Sequence, residues 1–575
     1  MNSNNRHHVI RISRNNDKNI EIMKTKVLYL TVAFAVVLGM SSCKLDYFPS
    51  DELNGNALLT MDGGADCMID GCYAMLKEQY EYVEYASGNC YERHYLQMAE
   101  FPGDNICLSG RTSDPLYQAT TYTMTDHLKN IELFWWVSYK VIFSANTIIE
   151  GFKEGESAEY DQILGEAYFL RALMHFNAVN LCAKPYVLGR DNIGVPLRTS
   201  TNTEETTRAS VGEVYDQVAA DLQKAAELMT KPRHPGNGGY ATRATALGLL
   251  SRVYLYMEEN QKVLDVIAEM GDPVANLDSD LPNYFAKGLS SKETLFAIAH
   301  SSLENWGKSS ISSMFNGYDD GWGEVYPSDP LLNLYERYPD DKRMEFIKPQ
   351  FAAATNDVVY FAIPTTDGTF RSNLVVPVET SGSDKFCTVE GKKYAIQEET
   401  INGEYKQYFV NYGGEKCAAR IVKAMMQRNT YPMYYITKFS YQDGITHLMS
   451  PVLLRWGEVL LNRAEAYAKL NKDAEALADV NAIRQRAGIP AEGMFAAGKM
   501  HGYTNVLDVV LDERRMELAW EGHRVFDVYR NKRNMDRRFA GVQAWEVIDY
   551  NDNRIQYPIP YGEYSVSHIP QNPGY

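Results

Sequence analysis

The residues best placed for chemistry are the carboxylates of Tyr318-Asp319-Asp320-Gly321-Trp322-Gly323-Glu324. Paired carboxylates beside aromatic rings are what a glycosidase uses, one as acid and the other as base or nucleophile. The same oxygens could ligate Ca²⁺. Adjacent Asp side chains rarely converge on one bond, however, and a Gly- and Asp-rich stretch is first of all a turn. The chain has no HExxH, no P-loop and no GxSxG, and its histidines are scattered. The sequence therefore argues for no catalytic residue, no metal and no cofactor.

The surroundings of these carboxylates read better as a binding surface. Ser301 to Pro330 carries Trp306, Phe315, Tyr318, Trp322 and Tyr326 among Gly, Ser and Asn. Large rings on so polar a stretch cannot all be core. Sugar rings offer flat C–H faces that stack on Trp and Tyr, while Asn, Asp and Arg bond the hydroxyls. For each ring, packing of the loop onto the fold is the competing reading. Trp306, Phe315, Tyr318 and Trp322 are the candidate ligand contacts. Trp135, Trp136, Trp456 and Trp520 lie in helically periodic stretches and are assigned to the core.

Helices must position that loop. Apolar spacing predicts them at about 64–85, 131–151, 160–182, 211–230, 241–258, 261–270, 451–470 and 473–487. Several fall into pairs with small residues at the crossings, such as Ala244, Gly248, Ala464 and Ala468, and resemble tetratricopeptide units too far apart for a regular solenoid. Gly88 to Thr121 reads as irregular. Gly271 to Gly444 is a long insertion with strand-like runs at Thr294–Ala299, Val358–Ile363 and Lys406–Val410. The fold class is mainly α: an irregular helical scaffold decorated by long loops and short strands. Residues 57–300 and 301–575 are expected to form one unit.

The N-terminus reads as an address. Met23-Lys24-Thr25-Lys26, an uncharged apolar run from Val27 to Leu38, and Gly39-Met40-Ser41-Ser42 before Cys43 form a secretory signal over residues 1–42, with Met23 the better start. Small residues before Cys43 resemble a bacterial lipobox, with Met40 where an aliphatic residue is usual. Residues 43–56 read as a lipidated tether. Across the chain 57 Lys and Arg face 74 Asp and Glu. Such acidity argues against nucleic acid and anionic membrane surfaces as partners. Without Cys43, the seven remaining cysteines show no metal or disulfide spacing and are read as small buried residues.

Two motifs are more specific. The stretch 506–530, VLDVVLDERRMELAWEGHRVFDVYR, reads as one helix whose charges Arg514, Glu517, Glu521, Arg524, Asp527 and Arg530 recur three or four residues apart. The chain ends in Pro558-Ile559-Pro560, Glu563 and Gln571-Asn572-Pro573-Gly574-Tyr575. Both motifs, and GEAYFLRALMHFNAVNLCAKPYVL earlier in the chain, resemble SusD/RagB-like nutrient-binding lipoproteins of Bacteroidetes. Cys182-Ala183-Lys184 departs from that family's aromatic-Gly exit, and His568 lies near its expected Asn. The resemblance implies a surface-exposed outer-membrane lipoprotein that binds an oligosaccharide without changing it. It implies a SusC-type TonB-dependent transporter as partner, and a second, early loop beside the ligand, here Gly88 to Thr112 with Asn89, Tyr91, Arg93, His94, Asp104, Asn105 and Arg111. Peptide binding, as in RagB-like members, a helical-repeat scaffold for protein assembly and a glycoside hydrolase are the alternatives.

Overall fold

The computed structural model describes residues 58, 61–80, 90–110, 117–202, 207–366, 368–401 and 405–575. Cys43, the signal, the tether, Asn89 and Arg111 lie outside them. The predicted helices form as Gly64–Met75, Lys129–Gly151, Ala158–Cys182, Val211–Leu228, Arg243–Tyr256, Asn260–Met270, Trp456–Lys469 and Asp473–Arg486. The fold is the mainly α scaffold expected, with caps where the sequence offers them. Ser157 accepts from the Tyr160 amide at 3.1 Å, and Ser210 and Glu213 form a reciprocal capping box. The stretch from Pro451 begins instead as a strand, Val452–Arg455, paired with Thr294–Ala297.

Buried ion pairs tie helices together. Arg171 donates to both carboxylate oxygens of Asp221 at 2.8 and 2.7 Å, joining Ala158–Cys182 to Val211–Leu228. Arg252 does the same to Glu458 at 2.6 Å, joining Arg243–Tyr256 to Trp456–Lys469. Such pairs fix orientation more than they add stability, because desolvation offsets most of the attraction.

The insertion contains more order than its composition suggests. Among the described residues, seven antiparallel strands form one sheet in the order Arg371–Pro377, Asp357–Pro364, Glu415–Lys423, Tyr405–Tyr412, Lys392–Ile401, Asp384–Val389, Glu379–Ser381. Two of its hairpins turn through residue pairs that both have positive φ, Glu390-Gly391 (49° and 79°) and Gly413-Gly414 (62° and 87°). That is the backbone a two-residue hairpin needs to match strand twist. Val359, Phe361, Cys387, Ile396, Val410, Cys417 and Ala419 make a small core on one face. Cys67 is exposed, which corrects its assignment to the interior.

The stretch 506–530 is not one helix. It forms Val506–Glu517 and Arg524–Arg530, with Trp520 and Gly522 between them at φ 68° and 78°. A bulky residue in the left-handed region needs strong support. Trp520 is buried to 1 % exposure. The break frees carbonyls that buried cations take up: Lys438 Nζ donates to Glu517 O (3.2 Å) and Ala519 O (2.9 Å), and Arg455 Nη2 to Glu517 O (2.9 Å). Gly522 is required because a Cβ there would meet the Ala99 Cβ at 3.0 Å.

The charged stripe is therefore interior. Arg455, 1 % exposed, reaches Glu293 (2.8 Å), Glu517 (2.7 Å) and Glu521 (2.8 Å). Arg486 and Arg343 also face Glu517, Lys438 faces Glu521, and Arg514 and Arg530 face Asp527 and Glu465. Burial alone would raise the Glu521 carboxyl, but Arg455 and Lys438 outweigh it and hold it at about 2. Burial opposes ionisation of Glu517 too, and Arg486, Arg455 and Arg343 drive it well below its ordinary 4.5. Groups with depressed values stabilise the fold above their unfolded pKa, and that stability is lost as pH falls through the folded value. The melting temperature should hold level down to about pH 5 and then fall steeply between about 4.5 and 2. Calorimetric melts across that range test this; a melting temperature still level at about pH 3 would contradict it.

The C-terminal tail is a strap, as its prolines suggest, with one short helix at Tyr561–Ser567. Asn572 Nδ2 donates to Cys182 O and Tyr557 O, both at 2.7 Å. It thus closes the last carbonyl of Ala158–Cys182, where the chain leaves that helix. Arg208 donates to Asn572 Oδ1 at 2.6 Å, and Gln571 pairs with the backbone of Ile559.

Candidate functional site

The loop from Ser301 to Pro330 is fastened at both levels of its backbone. Its strand Val325–Pro327 pairs antiparallel with Ile106–Leu108. Its helix Ile311–Phe315 starts on Ser310, whose hydroxyl accepts the Ser313 amide. The segment between them returns over that helix: Gly323 N donates to Ser313 O (2.8 Å) and Glu324 N to Met314 O (2.9 Å). Gly323, at φ 49°, leaves no room for a side chain, since a Cβ would lie 2.7 Å from both Gly317 Cα and Tyr435 Cε1. Asp319 and Asp320 also take left-handed backbone, at φ 47° and 68°. Strained non-glycine residues of this kind gather at binding loops.

The strain presents two rings. Trp322 is 51 % exposed and Tyr318 40 %. Neither is loose. Trp322 Nε1 donates to Lys308 O at 3.1 Å, and Arg428 Nη1 holds the carbonyls of Trp322 and Gly323 at 2.8 and 3.0 Å. Tyr318 stands edge-on to Tyr435 at 4.9 Å, and its hydroxyl accepts from Gln350 at 3.0 Å. Behind them, His447 Nε2 lies 2.9 Å from Tyr318 O, and the Thr446 hydroxyl donates to Asp319. Two further exposed apolar side chains lie on the backbone next to Gln350. Phe351 is 60 % and Met426 46 % exposed, and Met426 N donates to Gln350 O at 2.8 Å. Exposed apolar side chains grouped in this way mark a contact surface. A ring already held in place loses little further freedom when a ligand stacks on it.

The other candidate residues fall elsewhere. Trp306 is half-buried at the far side of the loop, its Nε1 donating to Lys77 O at 3.2 Å. Phe315 is buried against Phe439 at 5.3 Å, so it supports the platform from below and does not face solvent. The early segment is corrected more strongly. Its described part is a helix, Tyr91–Glu100, followed by a turn and the strand Ile106–Leu108. Tyr91 is fully buried, its hydroxyl accepting from Asn177 at 2.8 Å and its ring stacked on Phe134 at 5.4 Å. His94 is buried as well, and burial together with Arg93 lowers it to about 3, which keeps it neutral. Asp104 and Asn105 are taken up by Arg515 and Arg524. Arg93 reaches the later loop, donating to Ser309 O at 3.2 Å, and the carbonyls of Asp104 and Asn105 accept the Ser328 hydroxyl (2.6 Å) and amide (3.0 Å) from the same loop. The segment thus braces the platform from beneath.

Sequence reasoning missed Gln350 and Arg428, which hold Tyr318 and Trp322. They come from the insertion and reach the platform only through strand pairing, which leaves no local signal. Among the described residues, no group of three or more His, Cys, Asp and Glu is arranged to hold a metal ion, and no helix is long and apolar enough to cross a membrane.

Residues 292–575 match the SusD family, and residues 65–255 a family described as starch-binding and associating with the outer membrane. The chain belongs to the SusD/RagB-like family. It is 24 % identical over 490 residues to SusD-like protein P2 of Formosa agariphila, covering 81 % of this chain and 84 % of that one. Its fold is similar to a SusD superfamily protein from Bacteroides thetaiotaomicron, with TM-score 0.65, 23 % identity and coverage of 88 % and 99 %. It is also similar to a laminarin-binding SusD-like protein, with TM-score 0.58, 20 % identity and coverage of 89 % and 99 %.

Proposed function

We propose that this protein is a cell-surface lipoprotein that captures oligosaccharide and delivers it, chemically unchanged, to a SusC-type TonB-dependent transporter in the outer membrane. The observation that carries the glycan reading is the exposed, hydrogen-bonded Trp322 beside Tyr318. A flat, preformed aromatic face with amide and guanidinium groups around it suits a sugar ring. Family membership and a laminarin-binding structural neighbour support the same reading. Titration calorimetry of the full chain against starch and laminarin fragments and a peptide panel, with product analysis, tests it. Saturable binding of an intact glycan is expected. Binding confined to peptides would move the protein to the RagB-like side of the family, and cleaved sugar would make it a hydrolase.

The lipid anchor rests on Cys43 and the signal before it. Cys43→Ala should move the protein from the membrane pellet to the soluble fraction and abolish labelling by a lipid probe. A variant that still pellets and labels would remove Cys43 as the attachment site.

A further inference from the structure

The seven-stranded sheet and the C-terminal segment bound a cleft of about 340 Å³ that shares no lining residue with the Trp322 platform. Its exposed aromatic surface is Trp545, with Phe539 nearly buried behind it, and its polar surface includes Asn333 and the carboxylates Asp329, Glu415 and Asp536 against Lys416 and Arg538. The volume is at the small end for ligand sites. It therefore suits a short stretch of ligand and not a long chain.

Both walls are fixed. Gly541 bridges to Arg371, at the start of strand Arg371–Pro377, its N donating to Arg371 O at 3.1 Å. Tyr431 donates to the same carbonyl at 2.9 Å. Gln543 Nε2 donates to Phe539 O at 2.7 Å, closing the bend that carries Trp545. The Arg371 guanidinium lies over the Trp545 ring at 4.5 Å and does not line the cleft, while Trp545 remains 39 % exposed. On the opposite wall Tyr360 donates to Asp329 at 3.0 Å, and Arg420 donates to Asn333 Oδ1 at 2.5 Å. Arg538 is clamped by both oxygens of Asp536, at 3.0 and 2.9 Å.

The chemistry of the lining selects a ligand class. Charges of both signs surround the opening, so neither an anion nor a cation is favoured as a whole. Aromatic area beside carboxylate, amide, ammonium and guanidinium groups fits a neutral ring with hydroxyls around its edge and C–H on its face. We propose that this cleft is a second sugar-binding subsite, taking a short neutral stretch of oligosaccharide with one ring against Trp545. The proposal rests on the glycan-binding reading and extends it: two separate subsites let one chain hold a branched or folded-back glycan at two points, and linked sites gain avidity without any new contact.

Titration calorimetry of the full chain with neutral maltooligosaccharides and laminarioligosaccharides tests this, on the wild type and on Trp322→Ala, Trp545→Ala, Trp545→Phe and the double Trp322→Ala/Trp545→Ala. In the Trp322→Ala background, the remaining binding should weaken roughly tenfold on adding Trp545→Ala, if sugar stacking resembles base stacking on aromatic rings. Trp545→Phe, which keeps a ring, should retain most of it. Melting temperatures identify any variant that has lost its fold, and Trp545→Phe then serves alone as the comparison with wild type. A folded Trp545→Ala with the wild-type isotherm, and a double variant no weaker than Trp322→Ala, would overturn the cleft and leave the platform standing. A wild type that binds none of these sugars would overturn both readings together.

Discussion

Replacing Arg455 with alanine should lower stability by about 3–5 kcal/mol, the range expected when one partner of a fully buried ion network is removed. The guanidinium spends all three nitrogens on Glu293, Glu517 and Glu521 and on the Glu517 carbonyl. Without it, three carboxylates that are almost unexposed compete for Arg486, Lys438 and Arg343. Arg455→Met fills similar volume but leaves the same acids short of charge, so it should recover only the part due to packing. The control is Arg190→Ala. Its pair with Asp216 is half exposed on both sides and should leave the melting temperature within error of wild type. Thermal and urea melts of the three variants decide the matter. Equal, small effects for Arg455→Ala and Arg190→Ala would mean that water or rearrangement satisfies the carboxylates and that the network does not hold the core.

That network also shows what could be read from the chain and what could not. The spacing of Arg514, Glu517, Glu521, Arg524, Asp527 and Arg530 marks a helix with paired charges, and much of the stretch is helical. Spacing sees only neighbours on one helix, however. The partners that matter are Arg455, Arg486, Arg343 and Glu465, up to 174 positions away in sequence, and the chain breaks at Trp520 to expose carbonyls to Lys438 and Arg455. Periodicity does not register a break driven by such distant cations. The early segment failed for a different reason. Tyr91, Tyr95 and Met98 do recur at helical spacing, but Cys90 supplies no cap and Pro102-Gly103 follows closely, so punctuation outweighed period. In the insertion, Val358–Ile363 and Lys406–Val410 were visible as strands and lie in Asp357–Pro364 and Tyr405–Tyr412. Their joint membership in one sheet depends on Glu415–Lys423 pairing with both, a non-local choice. For the platform, residue types pointed to the loop that carries the exposed Trp322 and Tyr318. Which rings face outward was settled by φ at Asp319, Asp320 and Gly323, and by Arg428, neither of which single-residue composition reveals.

The second large effect concerns Trp322. Trp322→Ala should weaken glycan binding by tenfold or more, since a stacked ring contributes on the order of 1–3 kcal/mol if sugars behave as bases do and 1.4 kcal/mol is a factor of ten. The ring is half exposed, yet held at Nε1 by Lys308 O and at its carbonyl by Arg428, so the alanine variant loses a preformed surface and not merely area. Tyr318→Phe should do less: it keeps the ring and loses only the hydroxyl that receives Gln350. Asp320→Asn should do less still, because an exposed hydrogen bond to a sugar hydroxyl exchanges for one to water with little net gain. Trp306→Ala falls between these, acting through the loop, as its indole is fixed to Lys77 O and is half-buried. Calorimetric titration of each folded variant with the glycan that binds wild type most tightly gives the order directly. If Trp322→Ala binds as wild type does, the ligand lies elsewhere on the chain. If Asp320→Asn shows the larger loss and wild type releases cleaved sugar that the variant does not, the carboxylates are working as an acid and base and the protein is an enzyme.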